Sequence, residues 1–185
     1  MFLIGCASDK SALCVDGAAT VEGQPMAGNV PTFKAIQVAA DNDRFGAELL
    51  FLNGRFDCKV SAKETNGDLC IYDTVRTGKG GPPLHLHHAQ DEWFLVREGE
   101  FLFQVGEDRF RLRAGDSIFA PRKIPHAFAN VSDTGRLMIV YQPAGTIERF
   151  FLDASRLTSP PPSDMQQLYR ANGMEIVGPP IKADR

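Results

Sequence analysis

The chain has 185 residues, of which 43% are hydrophobic and 23% are charged, which is typical of one folded globular domain with extensions and not of a disordered chain. A formal net charge of −3 leaves no excess of cations to neutralise a phosphate backbone, so we expect no nucleic-acid partner. No apolar run approaches the roughly 20 residues of a membrane-spanning helix, so we expect no membrane span.

Residues 1–32 are predicted to form an N-terminal arm. Most of the arm is rich in Ala, Gly, Ser and Thr and shows neither helical nor strand periodicity. Residues 3–6 (Leu-Ile-Gly-Cys) match the end of a bacterial lipoprotein signal, but the residues before them supply neither a charged region nor an apolar core. We therefore expect a cytoplasmic protein, and a start site that truncates a true export signal is the alternative left open.

Residues 33–158 are predicted to form an all-β domain. Short segments rich in Phe, Val, Ile and Leu alternate there with turn signals such as Asn53-Gly54, Asn66-Gly67 and Glu98-Gly99. This alternation indicates about ten strands without an intervening helix, which is typical of an antiparallel sandwich or barrel.

The four cysteines are predicted to be free thiols. They show no C-x-x-C spacing and lie far in sequence from the histidines: Cys6, Cys14, Cys58 and Cys70. If Asn66-Gly67 is a two-residue hairpin turn, Cys70 faces Lys63 and Cys58 faces Val75, which separates the two sulfurs. Burial as free thiols is then the expected state.

Residues 159–185 are predicted to form a Pro-rich linker, a short helix and a tail. The prolines after Ser159 impose an extended break, after which Ser163 and Gln166 have the spacing of a capping box. Gly173 is predicted to end the helix in a left-handed conformation. The apolar residues at helical spacing are expected to pack the helix onto the barrel: Met165, Leu168 and Tyr169.

Three of the four histidines are concentrated in one short segment. In a strand, alternate side chains project to one face, so His85 and His87 point together while His88 points away. Glu92 joins the pair if the intervening turn reverses the chain and places it on the next antiparallel strand. His126, which follows two prolines on a further strand, supplies a fourth ligand. Three imidazoles and one carboxylate suit iron, manganese, nickel, cobalt or zinc better than calcium or magnesium.

The spacing of these residues resembles the two motifs of the cupin family. The first motif, G-x5-H-x-H-x3,4-E-x6-G, is matched from His85 to Gly99, with its first glycine displaced. The second, G-x5-P-x-G-x2-H-x3-N, is matched from Gly115 to Asn130, with Lys123 in place of its internal glycine. The resemblance implies a double-stranded β-helix (jelly-roll) barrel that binds one divalent transition metal through four ligands: His85, His87, Glu92 and His126.

Strand parity predicts an aromatic, dry cavity beside the metal. A two-residue turn at Glu98-Gly99 would pair Phe94 with Phe103 in a hairpin. The residues expected to line the substrate pocket share an inner face with Glu92 or His126: Phe94, Val96, Phe101, Phe103 and Phe128. Such a cavity suits an aromatic or enolic small molecule, although simple filling of the barrel by these side chains is an equally good interpretation.

The opposite face of the same hairpin carries Trp93, Leu95 and Leu102, which would form one apolar patch. Another sheet of the chain is one possible cover. Because cupins commonly pair through such surfaces, we expect a symmetric homodimer.

Other polar residues near the motifs are predicted to lie outside the ligand set. His88 is assigned to the surface, Asp91 to a turn and Asn130 to a loop-closing hydrogen bond. Four arginines are assigned to a solvated face, although one of them could meet an anionic substrate: Arg97, Arg109, Arg111 and Arg113.

The stretch from Gly80 to Leu152 is similar to the quercetin-dioxygenase-like cupins of bacteria. In that group a metal binds an enolic substrate oxygen and dioxygen adds to the activated carbon, which implies a dioxygenase here. Glu92 is the implied catalytic residue, since its carboxylate both ligates and accepts a proton. Two alternatives stay open: a metal-dependent isomerase or hydrolase of a small polar substrate, and a cupin that only binds or senses a small molecule.

Overall fold

The computed structural model describes residues 34–157 and 162–182 of the chain. The predicted N-terminal arm, with Cys6 and Cys14, lies outside the described residues. So does most of the predicted Pro-rich linker. The described residues form two antiparallel sheets and two helices.

The strands and helices follow one another as an almost purely β chain with its helices near the end. The strands are β1 (Leu49–Phe51), β2 (Gly54–Val60), β3 (Cys70–Thr77), β4 (Pro83–His87), β5 (Asp91–Glu98), β6 (Glu100–Val105), β7 (Asp108–Arg113), β8 (Ser117–Ala120), β9 (His126–Asn130), β10 (Thr134–Gln142) and β11 (Met174–Pro180). The helices are α1 (Ile147–Ala154) and α2 (Pro162–Ala171). The ten strands up to Gln142 confirm the number that the turn signals predict.

The strands divide into a six-stranded sheet A, in the order β1-β2-β3-β10-β5-β8, and a five-stranded sheet B, in the order β11-β4-β9-β6-β7. Neighbouring strands are antiparallel throughout. From β3 to β6 each strand lies in the sheet opposite to its predecessor, so the chain crosses the sandwich repeatedly. This arrangement is a jelly roll, and it confirms the predicted all-β fold class.

Alternation along the strands places apolar side chains between the two sheets. The interior holds one cluster of buried apolar residues drawn from both sheets and both helices. Phe94 of sheet A meets Phe103 and Phe128 of sheet B, with 5.2 and 5.9 Å between ring centroids. Burial of each ring contributes roughly 1.5–3 kcal/mol. The aromatic layer therefore joins the two sheets and fixes the strands that carry the predicted ligands.

The predicted hairpin at Glu98-Gly99 does not form. Strand β5 pairs with β10 and β8 in sheet A, while β6 pairs with β7 and β9 in sheet B. Gly99 has a φ of +79°, and a Cβ there would lie 2.7 Å from the carbonyl oxygen of Thr134, so conformation and space both require glycine. The prediction fails because a tight turn has the same sequence signal whether its strands pair or face each other across a core.

The predicted two-residue turn at Asn66-Gly67 lies instead inside a loop of residues 61–69. Cys58 therefore pairs with Tyr72 and not with Val75. Sulfur atoms of Cys58 and Cys70 and a carboxylate oxygen of Glu148 come within 4.8 Å of one another. The two thiols are free and buried, as predicted, but they are neighbours.

Helix α1 lies in a region that the sequence assigned to the barrel. Its apolar face packs on the core, and Phe151 stacks on Phe56 with 4.3 Å between ring centroids. Helix α2 begins at Pro162, so Ser163 lies in the first turn and donates to Asp164 instead of forming a capping box. Its Tyr169 is buried in the core, as predicted. With eight and ten residues, neither described helix is long enough to cross a membrane.

The tail after α2 is a strand. Gly173 ends the helix with a φ of +74°, as predicted, and β11 follows at once. Strand β11 pairs with β4, with Met174 opposite His87 and Ile176 opposite His85. The C-terminal segment thus pairs directly with the strand that carries two of the predicted ligands.

The predicted apolar patch is divided between the two sheets. Trp93 and Leu95 lie on the outer face of sheet A, whereas Leu102 lies in sheet B. Phe119, which pairs with Trp93, is 54% exposed and extends the patch on sheet A. The apolar surface is therefore centred on β5 and β8 and not on a β5–β6 hairpin.

Lys123 has a φ of +66°, in the left-handed region that favours glycine. It stands where the second motif has its internal glycine, so the turn keeps the glycine conformation despite the lysine. Its N–H donates to the carbonyl of His87 at 2.7 Å and ties this turn to β4.

We expect Lys123→Gly to raise the free energy of unfolding by roughly 1 kcal/mol. The left-handed conformation costs an L-residue about 1–2 kcal/mol, and the greater freedom of glycine in the unfolded chain offsets part of the gain. Urea unfolding followed by Trp93 fluorescence measures the change. Lys79→Gly, at an exposed position with a negative φ, is the matched control and should lose stability. A Lys123→Gly variant less stable than the wild type would contradict the claim that the left-handed conformation of Lys123 destabilises the fold.

Candidate metal centre

Four ionisable side chains meet inside the barrel, and they are the four that the sequence singles out. Nitrogen and oxygen atoms of the group lie within 4.8 Å of one another, and each residue is buried: His85, His87, Glu92 and His126. Three imidazole nitrogens and one carboxylate oxygen could hold one divalent transition metal.

Both sheets contribute to this group. His85 and His87 project inward from alternate positions of β4 in sheet B. His126 begins β9 and pairs directly with His85. The sequence predicted that Glu92 would lie on a strand next to the histidines. Glu92 lies instead on β5 in sheet A and reaches the histidines across the interior. The packing of one sheet on the other therefore sets the distance between the carboxylate and the imidazoles.

Each of the three imidazoles is oriented through its Nδ1 atom. Nδ1 of His85 lies 2.9 Å from the carbonyl oxygen of Pro83, and Nδ1 of His126 lies 2.9 Å from that of Ile124. Nδ1 of His87 lies 2.9 Å from Oε1 of Gln90. Because the partners are oxygen acceptors, each Nδ1 carries the proton, and each Nε2 presents a lone pair in the neutral ring.

The side chain of Gln90 has one orientation available. Its Nε2 donates to the carbonyl oxygens of Pro143 and Ala144, which leaves Oε1 for His87. Gln90 is buried, so its amide connects the turn between β4 and β5 to the segment after β10. This residue fixes a ligand ring without itself being a ligand.

Burial and proximity set different protonation states in the group. Burial, reinforced by the neighbouring imidazoles, lowers the pKa of His85 to about 3, so His85 is neutral. Burial alone would raise the pKa of Glu92, but His87 and His126 beside it hold that pKa well below its usual range. Burial opposes charge on His87 as well, yet the Glu92 carboxylate outweighs it and raises the pKa of His87.

The group fits a metal ion by its chemistry. Nε2 of His87 is buried and makes no hydrogen bond, although it contacts Oε1 of Glu92. Nε2 of His126 lies 3.3 Å from the same carboxylate oxygen. In the neutral ring of His87 this nitrogen would turn a lone pair toward a carboxylate oxygen, which is unfavourable, and a cation between the two atoms would satisfy both. The residues present therefore fit a divalent transition metal.

A cavity of about 40 Å³ adjoins the group, room for roughly three water molecules. Its wall includes His85, His87 and Glu92 together with the guanidinium-bearing Arg76. The remainder of the wall is mostly aromatic, with contributions from Phe51, Phe56, Phe128, Tyr141, Phe150, Phe151 and Tyr169. The candidate site thus opens onto a small, largely apolar space.

The comparisons with known proteins agree with this geometry. Residues 72–141, which include all four candidate ligands, match the family model of the cupin domain. This part of the chain is therefore a cupin domain. Among curated proteins, the quercetin 2,3-dioxygenase of Bacillus subtilis is 30% identical to this cupin over 110 residues, which is 58% of this chain and 32% of that enzyme.

Other relatives are more limited in extent. An uncharacterised protein of Methanocaldococcus jannaschii is 32% identical over 50 residues, which is 27% of this cupin and 40% of that protein. A solved structure described as a predicted oxalate decarboxylase from Thermotoga maritima has a TM-score of 0.47 at 16% identity, covering 49% of this chain and 80% of that one. The matched segments span between 32% and 53% of the curated relatives' lengths.

The structure divides the five residues that the sequence assigned to a substrate pocket. Phe128 lines the cupin cavity. The other four are buried in the aromatic core, and none of them belongs to the cavity wall: Phe94, Val96, Phe101 and Phe103. Their side chains have the predicted inward parity. Parity assigns a side chain to the interior but does not say whether it borders the cavity or fills the core.

Two residues of the site were not singled out from the sequence, Gln90 and Arg76. Arg76 is 1% exposed and lies in the cavity wall. Strand alternation could have found Arg76, because it lies on the same inward face of β3 as Cys70, Tyr72 and Thr74. Gln90 carried no such signal, because a glutamine in a turn is ordinarily solvated.

The residues predicted to stand apart from the ligands do so. The side chain of His88 is 56% exposed and lies 4.0 Å from Glu175. Asp91 forms an ion pair with Arg122, which lowers the pKa of Asp91 to about 2. Asn130 donates to the carbonyls of Gly78 and Ser132 and so closes a loop, as predicted. The four arginines assigned to a solvated face are exposed: Arg97, Arg109, Arg111 and Arg113.

We expect His126→Ala to lower metal occupancy sharply, while His88→Ala leaves it nearly unchanged. His126 presents Nε2 to Glu92 inside the barrel, whereas the exposed His88 lies just after β4 and points away from the group. Elemental analysis of the two purified variants measures bound iron, manganese, nickel, cobalt and zinc per chain. Equal loss in both variants would show that the candidate centre does not bind the metal.

Proposed function

We propose that this cupin is a metal-dependent dioxygenase that acts on a small enolic substrate. The observation that supports it is the convergence of three oriented imidazoles and one carboxylate inside the barrel, where His85, His87 and Glu92 border a small, mostly apolar cavity. The cofactor in this proposal is one divalent ion: iron, manganese, nickel, cobalt or zinc. When bound, such an ion supplies Lewis-acid activation of an enolic oxygen and, if redox-active, a route for electrons to dioxygen.

The residues of the chain perform three tasks in this proposal. The Nδ1 hydrogen bonds of the histidines hold the imidazole rings in position before any ligand arrives. The aromatic wall excludes bulk water, which strengthens electrostatic interactions inside. Glu92 borders the cavity, so its carboxylate is placed to accept the proton of an enolic hydroxyl.

The cavity volume constrains the substrate more than the sequence did. Because the space beside the ligands is small, about 40 Å³, we favour a compact enol over a three-ring flavonol as the substrate. The similarity to the quercetin 2,3-dioxygenase of Bacillus subtilis supports the reaction class and not its substrate. The proposed partners are thus a small enolic molecule and dioxygen.

Arg76 supports a second candidate, a metal-dependent isomerase or hydrolase of a small polar substrate. A charged side chain in the cavity wall is what such a substrate would need. The two candidates differ in oxygen consumption. A cupin that only binds or senses a small molecule would bind the ligand without turning it over.

We expect Glu92→Gln to retain part of the metal through the three histidines and to lose about 10²–10⁴-fold in turnover, because an amide does not accept the proton. Oxygen uptake with a panel of small enols, normalised to bound metal, measures turnover after loading with iron, manganese, nickel and cobalt in turn. Glu98→Gln, at the exposed end of the same strand, is the matched control and should keep full activity.

Full turnover in metal-replete Glu92→Gln would assign proton transfer to another group. A wild type that consumes no oxygen with any metal and enol, but converts a small polar substrate, would favour the isomerase or hydrolase instead.

We also propose that the protein is a homodimer that pairs through the outer face of sheet A. The exposed Phe119 lies beside the half-buried Trp93 and Leu95 on this face, and their burial against a second copy would be favourable.

We expect Phe119→Lys to convert a dimer into a monomer, measured by light scattering coupled to size-exclusion chromatography. Phe110→Lys is the matched control, because Phe110 is also exposed but lies on β7 in sheet B. A wild type that is monomeric at tens of micromolar would contradict the proposal.

A further inference from the structure

Arg76 is a buried cation in the wall of the cavity. It projects inward from β3 and is 1% exposed, which is rare for an arginine unless a partner compensates its charge. Burial lowers the pKa of Arg76 to about 10, so the guanidinium is still protonated at neutral pH. A permanent positive charge therefore faces the cavity.

No carboxylate among the described residues balances this charge. The guanidinium donates from Nη2 to the side-chain oxygen of Asn53, a neutral acceptor. Nε of Arg76 is buried and makes no hydrogen bond. The groups that raise its pKa are Tyr169 and Tyr141, whose hydroxyls are neutral at neutral pH because burial raises their own pKa, and no aspartate or glutamate contributes. Donor capacity and positive charge are both left over for a ligand.

The guanidinium is held in place by its surroundings. Its central carbon lies 5.5 Å from the ring centroid of Phe56 and 5.4 Å from that of Phe128. Gly54 pairs with Arg76 across the strands, and a Cβ on Gly54 would lie 2.1 Å from Nη1. The glycine therefore provides the space that the guanidinium occupies. Because these contacts hold the guanidinium in one position, its free N–H groups point in fixed directions toward a ligand.

The same cavity is bounded by the ligand group. Its wall includes Glu92, His85 and His87 as well as Arg76, and Phe128 also contacts Phe94 of the core layer. A small molecule in this space would meet the metal ligands on one side and a guanidinium fork on another. Planar carboxylates accept two parallel N–H bonds from such a fork.

We propose that Arg76 binds the carboxylate of the substrate, which makes the substrate a small organic acid anion that carries its enolic carbon beside the metal ligands. This inference rests on the proposed function for the role of the enol, but the anion subsite itself depends only on Arg76. Compact 2-oxo acids, which enolise next to the carboxylate, have the required size and charge.

The test measures anion binding without turnover. Full-length protein, metal-free or loaded with redox-inactive zinc under nitrogen, is titrated calorimetrically with pyruvate and with its neutral amide, pyruvamide. We expect the wild type to bind pyruvate at least about 10-fold more tightly than pyruvamide in both forms, because a charge-assisted bidentate pair replaces a neutral one. We expect Arg76→Met to lose that preference, and Arg76→Lys to keep only part of it.

Two further variants separate binding from folding. Arg109→Met makes the same chemical change on the exposed face of β7 and should leave the preference intact. Gly54→Ala keeps the charge but displaces the guanidinium and should reduce the preference. Thermal melting gives an independent readout. Removal of a buried charge that lacks an ionic partner should leave the Tm of Arg76→Met unchanged or higher, whereas a purely structural arginine would lower it.

The outcomes distinguish this inference from the proposed function. Loss of the pyruvate preference in Arg76→Met with an unchanged Tm supports the anion subsite, even if no enol consumes oxygen. A preference that persists in Arg76→Met and requires zinc places the carboxylate on the metal and overturns the inference, while the dioxygenase proposal stands. Equal binding of pyruvate and pyruvamide by the wild type, or a large fall in Tm with Arg76→Met, also overturns it.

Discussion

The site depends on three hydrogen bonds that fix buried imidazoles through their Nδ1 atoms. Two acceptors are main-chain carbonyls two residues before the histidine, at Pro83 for His85 and at Ile124 for His126. The third is the Gln90 amide, which cannot rotate because its nitrogen is also bonded. An interior lined by phenylalanine offers the imidazoles few other polar partners. With each Nδ1 atom bonded in this way, each Nε2 atom points toward the same place between the sheets.

Strand alternation explains why so much of the candidate site was predictable. A period of two assigns each side chain to the interior or the surface without knowledge of which strands pair. It correctly placed His85 and His87 inside and His88 outside, and it placed Phe94 and Phe103 in the core. The turn signals likewise predicted the number of strands, because Gly and Asn mark positions of positive φ.

Alternation does not say which sheet a strand joins, and the wrong predictions follow from that limit. The Glu98-Gly99 turn crosses the sandwich, so residues expected to pair side by side face each other instead. The loop around Asn66 places Cys58 beside Cys70, although local spacing separated them. Arg76 and Gln90 acquire their roles from contacts with segments more than twenty residues away, and no local pattern contains such contacts.

Strand β11 is the last described element of the chain, and it is one of the two neighbours of β4 in sheet B. During synthesis, a nascent chain that has emerged only as far as Gln142 has both motifs but leaves the β11 edge of β4 unpaired. An unpaired edge exchanges its hydrogen bonds with water and frays. The strand that carries His85 and His87 is therefore paired on both sides only after β11 has joined sheet B, later than the synthesis of the two motifs themselves.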